Sequence, residues 1–305
     1  FDVIVVGGGA SGMMAALQAG ARNRRVLLLE KNESLGKKLL ITGGGRCNVT
    51  NEEYDTRKLL AKFKDDGKFL FSSFAQWDVR STLSFFHERG MSTKTEALGR
   101  VFPESNKAES VWQVLTRELA KQKVVIRKKE EVTGFLVEEN TVKGVKVRNG
   151  HTYFGESVIL ATGGKSHPET GSTGDGFLWL REIGHKIIES EASLVPLMSS
   201  TEWVKQLQGI SLEEVSVSII ESEKNIKKVK GKILFTHFGV SGPTILNLSK
   251  EVGERLRYNP VSLLLDVFPS LDLGSLDKKV LNILTLHQNK KIKPDRVISF
   301  YKYES

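Results

Sequence analysis

The chain opens on short apolar runs separated by glycine, a pattern that predicts a strand–turn–helix–strand unit. Residues 1–6 form a β-branched run ending in Gly7, Gly8 and Gly9, residues 10–21 have the Ala, Leu and Met content of a helix, and residues 25–30 (RVLLLE) are a second apolar run. A helix crossing between two such runs makes them parallel neighbours, and parallel strands are apolar throughout because both faces are buried. Residues 36–51 are glycine-rich and polar and read as a functional loop. Helical patterns dominate residues 56–89, where Phe63, Phe69, Phe71, Phe74, Phe85 and Phe86 are expected to anchor a core, and residues 110–121 form an amphipathic helix. Between residues 124 and 160 the apolar period changes to two, which predicts a three-stranded meander with Asn149-Gly150 as a hairpin turn. The meander ends at Ala161-Thr162-Gly163-Gly164, and a second glycine-rich stretch, residues 171–176, opens a helix over residues 177–184. Beyond Ser190 the strand-like runs 215–220, 232–238 and 261–268 predict a second, β-rich domain, and the last 30 residues carry a lysine-rich helical pattern.

Composition narrows the class. The 305 residues suggest two domains at about 150 residues each. With 39% hydrophobic and 27% charged residues, the chain is neither disordered nor collagen-like. One cysteine, Cys47, excludes a disulfide scaffold and a cysteine-rich zinc site, and it fits a reducing, cytoplasmic setting. The longest apolar stretch, residues 3–21, contains five glycines, so it reads as a turn between elements, and no membrane association is expected. The net charge of +9 favours a polyanionic partner without demanding one.

Gly7-x-Gly9-x-x-Gly12 follows a predicted strand and starts a helix, which is the setting that makes this spacing informative. Gly7 permits the tight turn, Gly9 lets backbone approach a diphosphate, and Gly12 allows close packing of helix on strand. Ala10 and Ser11 then lie at the helix N-terminus, whose free N–H groups and positive dipole suit an anion. Glu30 ends the second strand 18 residues after Gly12, placed to accept hydrogen bonds from a ribose diol, with Lys31 beside it. An acid at this point argues against a 2′-phosphate and so against NADP as the occupant. A plain NAD domain would continue βαβαβ, whereas the long helical region and the meander ending in ATGG delay the next parallel strand, an order typical of FAD domains.

Three longer motifs, KKLLITGGGRCNVTN (37–51), GGKSHPETGSTGDG (163–176) and LFTHFGVSGP (234–243), resemble the BaiN/RdsA family of FAD-dependent flavoproteins. The resemblance extends over nearly the whole chain, and residues 161–176 are also similar to the flavoprotein subunits of fumarate reductase and succinate dehydrogenase. It implies an α/β fold: a Rossmann-like FAD-binding domain, glutathione-reductase-like in its two-dinucleotide-binding architecture, over 1–190, with an inserted β-rich domain and helical tail over 191–305. Related chains return from the insert through a final strand and a glycine-rich loop over the flavin, so the first domain as given is expected to be incomplete.

The resemblance also implies that Gly43, Gly44, Gly45, Arg46, Cys47 and Asn48 run along the flavin, with Arg46 offsetting negative charge. Lys38, with Lys37, is expected to reach the adenosine ribose or phosphates, the alternative being solvated lysines. Val132 is expected to hold the adenine by its backbone, and Ala161, Thr162 and Gly163 to meet the cofactor at the carboxyl edge of the sheet. Asp175 is either a flavin contact or only a helix cap. Cys47 lacks the second cysteine of a CxxC pair, so disulfide reductase chemistry is not expected. Arg46, Cys47, His237 and Ser241 are the candidate catalytic residues, a structural hydrogen-bonding role being the alternative for His237.

Members of the resembled family are associated with reducing carbon–carbon double bonds, including a uridine in ribosomal RNA and steroid-like substrates. The implied activity is hydride transfer from flavin N5 to such a bond, with NAD(P)H as electron donor, although no second GxGxxG marks a nicotinamide site. Lysines 224, 227, 228, 230 and 232 make an RNA substrate, and contact with ribosomal RNA through a basic surface, the more physical expectation over a small molecule. The alternative for that run is a solvated hairpin. Two competing functions are a non-catalytic RNA- or ribosome-binding flavoprotein and an NAD-dependent dehydrogenase.

Overall fold

The computed structural model describes residues 1–63, 66–189 and 193–286. It divides into two compact units, Phe1–Ile187 and Ile188–Ser305.

In the first unit β1 (Val3–Val6) runs through the glycine turn into α1 (Ala10–Gly20) and on to β2 (Val26–Glu30), parallel to β1. Every residue of β2 is buried, as continuous apolar sequence requires of a strand covered on both faces. Alternate side chains separate two cores: Val5, Val26 and Leu28 pack with Met13, Ala16 and Leu17 of α1, while Ile4, Val6, Leu27 and Leu29 face the opposite layer. The chain continues through α2 (Lys37–Gly45), β3 (Thr50–Asn51), α3 (Thr56–Ala61), α4 (Gly67–Gln76), α5 (Val79–His87), β4 (Thr93–Glu96), β5 (Arg100–Pro103) and α6 (Ala108–Lys121). Then come β6 (Val125–Lys128), β7 (Val132–Glu138), β8 (Thr141–Val147), β9 (Thr152–Phe154), β10 (Ser157–Leu160) and α7 (Asp175–Glu182). The central sheet is parallel, in the order β10-β1-β2-β6, and β7-β8-β9 form a separate three-stranded meander.

Four expectations need correction. The run at 124–129 joins the parallel sheet as β6, with Leu27 opposite Val125, and does not belong to the meander. The last meander run also divides, because Gly155 lets the chain pass β1: a Cβ there would lie 2.8 Å from Ile4 Cγ1. Beyond that glycine the chain pairs parallel to β1 as β10. Of the six phenylalanines, only Phe85 and Phe86 are buried, edge to face with centroids 5.1 Å apart, while Phe69 is 85% exposed, Phe63 and Phe71 are exposed and Phe74 is half-buried. The cause lies in α4, whose one buried residue is Gly67; a Cβ there would stand 2.2 Å from the Leu60 carbonyl, so bare backbone seats this helix on α3. Residues 37–41, expected as loop, form a short helical turn at the start of α2. The Asn149-Gly150 turn is present, with Gly150 N donating to the Val147 carbonyl.

The second unit comprises β11 (Leu197–Met198), α8 (Glu202–Gln206), β12 (Ser211–Glu221), β13 (Lys224–Thr236), β14 (Gly239–Ser241), α9 (Pro243–Leu256), β15 (Val261–Asp266) and α10 (Leu273–Leu286). Its five-stranded antiparallel sheet has the order β11-β14-β13-β12-β15. Val215, Val217 and Ile219 alternate along β12 to meet Ile233, Phe235 and the α9 residues Ile245, Leu248 and Val252 in one core. The lysine-rich end of the expected tail, residues 287–305, lies outside the described residues. Among those described, no helix is long and apolar enough to cross a membrane.

Candidate functional site

A cleft of about 870 Å³ opens where β1, β2 and β10 end, at the carboxyl edge of the parallel sheet. That is the edge at which open α/β sheets bind ligands, and the volume falls in the ~300–1,000 Å³ range of cofactor sites. Its floor is the β1–α1 turn. Gly7 has φ +103° and a Cβ there would stand 2.4 Å from the Ala161 carbonyl oxygen, so glycine lets the ends of β1 and β10 close together. Gly12 lies beneath the turn, where a Cβ would come within 1.8 Å of the Gly7 oxygen. It packs helix on strand as expected and does not line the cleft. Gly9 caps α1 without a side-chain hydrogen bond, and a Cβ on it would meet nothing within 4 Å. The first turn of α1, with Ala10 and Ser11 on the cleft wall, is therefore open to an anion.

Glu30 is buried and faces the cleft. Its Oε2 accepts from Gly8 N at 2.7 Å, and its Oε1 accepts from the Asn32 backbone N at 2.8 Å and Nδ2 at 2.7 Å. A carboxylate offers about four acceptor positions, so roughly one is left for a ligand hydroxyl. Val132, buried at the start of β7, lines the cleft, as do Ala161, Thr162 and Gly163 beyond β10. Asp175 is the first helical residue of α7, and the cap is Gly174 in the left-handed conformation. The Thr173 hydroxyl and the Lys31 ammonium hold the Asp175 carboxyl below the usual carboxylate range. Lys31 and Lys38 both line the cleft, Lys38 Nζ donating to the Ser166 carbonyl and the Ser172 hydroxyl.

The GGGRCN segment is only partly at the cleft. Helical geometry in α2 stops at Thr42, and Gly43, Gly44 and Gly45 follow with φ of +59°, +67° and +80°. Three left-handed residues in succession need glycine, and they reverse the chain. Gly43, Gly44, Gly45 and Arg46 consequently stand outside the cleft wall, which takes up Thr42, Cys47, Asn48 and Val49. Arg46 instead pairs with Glu96, donates to Asn106 Oδ1 from Nη2 at 2.8 Å and lies 4.1 Å over the Phe102 ring. With its amide turned so that the nitrogen faces acceptors, Asn48 donates to the Thr50 and Val101 carbonyls, fixing the loop to β3 and β5. Burial pushes the Cys47 thiol up to about 11, so at neutral pH it is a protonated wall residue.

Every residue lining this cleft belongs to the first unit. His237 and Ser241 lie in the second, His237 exposed in the β13–β14 turn with its ring edge-on to Phe238 at 4.8 Å, and Ser241 opposite Leu234. Sequence reasoning missed Asn32, Thr42 and Glu130, and also the apolar wall of Met14, Trp77, Phe85 and Leu115. The GSTGDG motif marked the neighbourhood of Thr170, Gly171 and Ser172, while nothing local distinguishes Asn32 or Trp77 from ordinary residues.

The family model described as the HI0933-like protein Rossmann domain matches residues 1–234, and that of the HI0933-like protein barrel and H2TH domain matches residues 191–295. The chain belongs to the HI0933-like family. Among curated relatives, the 3-dehydro-bile acid delta(4,6)-reductase of Clostridium scindens is 31% identical over 280 residues, covering 90% of this chain and 66% of that protein. The ribosomal RNA dihydrouridine synthase of Escherichia coli is 30% identical over 296 residues, covering 96% of this chain and 69% of that protein. This HI0933-like chain thus spans about two thirds of the length of these relatives. The open conformation of a flavocytochrome c3 fumarate reductase superposes with a TM-score of 0.50 at 21% identity, over 70% of this chain and 46% of that one, a likeness of fold. The HI0933-like architecture is accordingly a Rossmann-like α/β domain with a separate β-rich unit, as expected.

Proposed function

We propose that this chain is an FAD-dependent oxidoreductase that reduces a carbon–carbon double bond. The observation that carries the reading is the meeting, in one cleft, of an uncapped helix N-terminus, a turn whose Gly9 leaves open space, and a buried carboxylate with an acceptor position to spare. Together these fit a dinucleotide. The α1 N-terminus would hold its diphosphate, Glu30 a ribose hydroxyl, and the backbone beside Val132 its adenine. Ala161, Thr162, Gly163, Cys47 and Asn48 would flank the remainder. FAD, when bound, supplies hydride transfer to the double bond. Cys47, a buried and protonated thiol without a second cysteine, excludes water there and relays no electrons.

The names of the two relatives, a reductase of a bile acid and a dihydrouridine synthase of ribosomal RNA, support reduction of a conjugated or pyrimidine double bond. Our reading takes NAD(P)H as electron donor, the cytoplasm as location and a base in ribosomal RNA as substrate, the last favoured by the net charge of +9. Anaerobic addition of NAD(P)H tests it. Bleaching of the flavin absorbance followed by reoxidation with unmodified ribosomal RNA is the expected result. An inert flavin would mean a binding protein in place of an enzyme, and reoxidation by an unsaturated steroid acid alone would move the substrate class.

A further inference from the structure

The loops that leave β2 and β10 are joined by side chains of the first reaching mainly to the backbone and hydroxyls of the second. Lys37 Nζ donates to the Glu169 carbonyl at 2.7 Å, and Lys38 Nζ to the Ser166 carbonyl at 2.5 Å and the Ser172 hydroxyl at 2.7 Å. Asn32 Nδ2 donates to the Thr170 carbonyl at 3.1 Å, and Lys31 Nζ to Thr173 Oγ1 at 2.7 Å and Asp175 Oδ2 at 3.1 Å. All the donors lie in residues 31–38 and all the acceptors in residues 166–175. Gly171 makes the approach close: at φ +108°, a Cβ there would stand 2.7 Å from Asn32 Nδ2.

Topology gives this bridge its meaning. β1 lies between β2 and β10 in the sheet, and neighbouring strands are about 4.8 Å apart, so the two loops start roughly 10 Å apart with the Gly7–Gly9 turn between them. Both loops line the cleft, so bonds that tie one to the other span its mouth beyond that turn. The 166–174 loop closes one 3-10 turn at Pro168–Thr170 through its own bonds, Thr170 N to the His167 carbonyl and Gly171 N to the Pro168 carbonyl, with His167, Gly171 and Gly174 left-handed. Those bonds shape the turn internally, whereas the donors of residues 31–38 tie it to the opposite loop. Lys37 and Lys38 give their hydrogens to neutral carbonyls and a hydroxyl, an arrangement that places the loop and leaves their charge uncancelled by those acceptors.

The geometry points to a clasp: Lys31, Asn32, Lys37 and Lys38 are positioning residues that hold the 166–174 loop across the cleft and set how fast a dinucleotide enters and leaves. The kinetic part rests on the FAD reading above; the structural part does not.

Hydrogen exchange on the flavin-free protein and stopped-flow FAD binding, in the wild type, K37M, K38R and the K37M/K38M double variant, test it together. In the double variant the amides of residues 166–174 exchange about tenfold faster. FAD association and release both accelerate about tenfold, while the dissociation constant changes less than roughly threefold. K38R stays near wild type, because a guanidinium can reach both Lys38 acceptors, and K37M, which removes one exposed donor without disturbing the core, falls between. Unchanged loop exchange in the double variant overturns the clasp. Slower association with a shallower dependence of affinity on salt overturns it too, since the lysines would then be phosphate ligands. Should the wild type take up no flavin, the FAD reading fails by itself, and the exchange comparison still decides whether the clasp exists.

Discussion

Glu30 accepts three hydrogen bonds in a buried position, two of them from the backbone amides of Gly8 and Asn32. Glu30→Ala strands those donors, and an unpaired buried donor costs about 1–3 kcal/mol. A lowered melting temperature and at least tenfold weaker FAD binding in a fluorescence titration are the expected results, with Glu30→Gln intermediate because its amide keeps one acceptor oxygen. Cys47 predicts a pH dependence. Burial raises its pKa from 9.0 to about 11, so the folded state holds the proton more tightly than the unfolded state does. The stabilisation from this group is complete below pH 9 and is lost as pH rises from about 9 to 11. Urea unfolding across that range should show a fall in wild type that Cys47→Ala lacks, and iodoacetamide at pH 8 should label the thiol only after denaturation. The lining of the cleft was legible in sequence where local chemistry sets it, as at Gly7, Gly9 and Glu30, with Gly12 legible only as a packing position beneath the turn. Arg46 was not, because the direction of its side chain follows from three left-handed glycines and from acceptors on β4 and beyond β5, none of which its own motif displays.

At the scale of elements, apolar sequence told less about partners than about conformation. The runs that became β6 and β10 have the same period as the meander strands, and only their neighbours, β2 and β1, decide that they pair in parallel. Likewise α4 is rich in phenylalanine yet is held on α3 by Gly67, so Phe69 and Phe71 are exposed and Phe74 is only half-buried. Phe69→Ala should accordingly change stability by less than about 0.5 kcal/mol, whereas Phe85→Ala, buried against Phe86 and the half-buried Trp77, should cost about 3–5 kcal/mol in urea titrations. Equal losses would contradict the packing described for α4 and α5.

For the whole molecule, the excess of positive charge is less available than its count implies. On β13, Lys227 is paired with Glu251 at 2.7 Å and Lys232 with Glu213 at 2.6 Å, which leaves Lys224, Lys228 and Lys230 as exposed charges, Lys230 donating to the neutral Pro269 carbonyl and Lys224 and Lys228 lying nearest the hairpin turn. If this surface meets RNA, the K224Q/K228Q double variant should reduce the slope of log affinity against log salt by roughly 1.5, measured by filter binding, and an unchanged slope would place the RNA elsewhere. The proposed chemistry depends on the cleft at the end of β1 being a flavin site. Incubating the purified protein with excess FAD, removing free ligand by gel filtration and recording the visible spectrum tests that directly. The expected result is one equivalent of retained flavin with the visible absorption of its oxidised form, lost on Glu30→Ala. A colourless protein that retains no FAD, or binding untouched by that substitution, would contradict it.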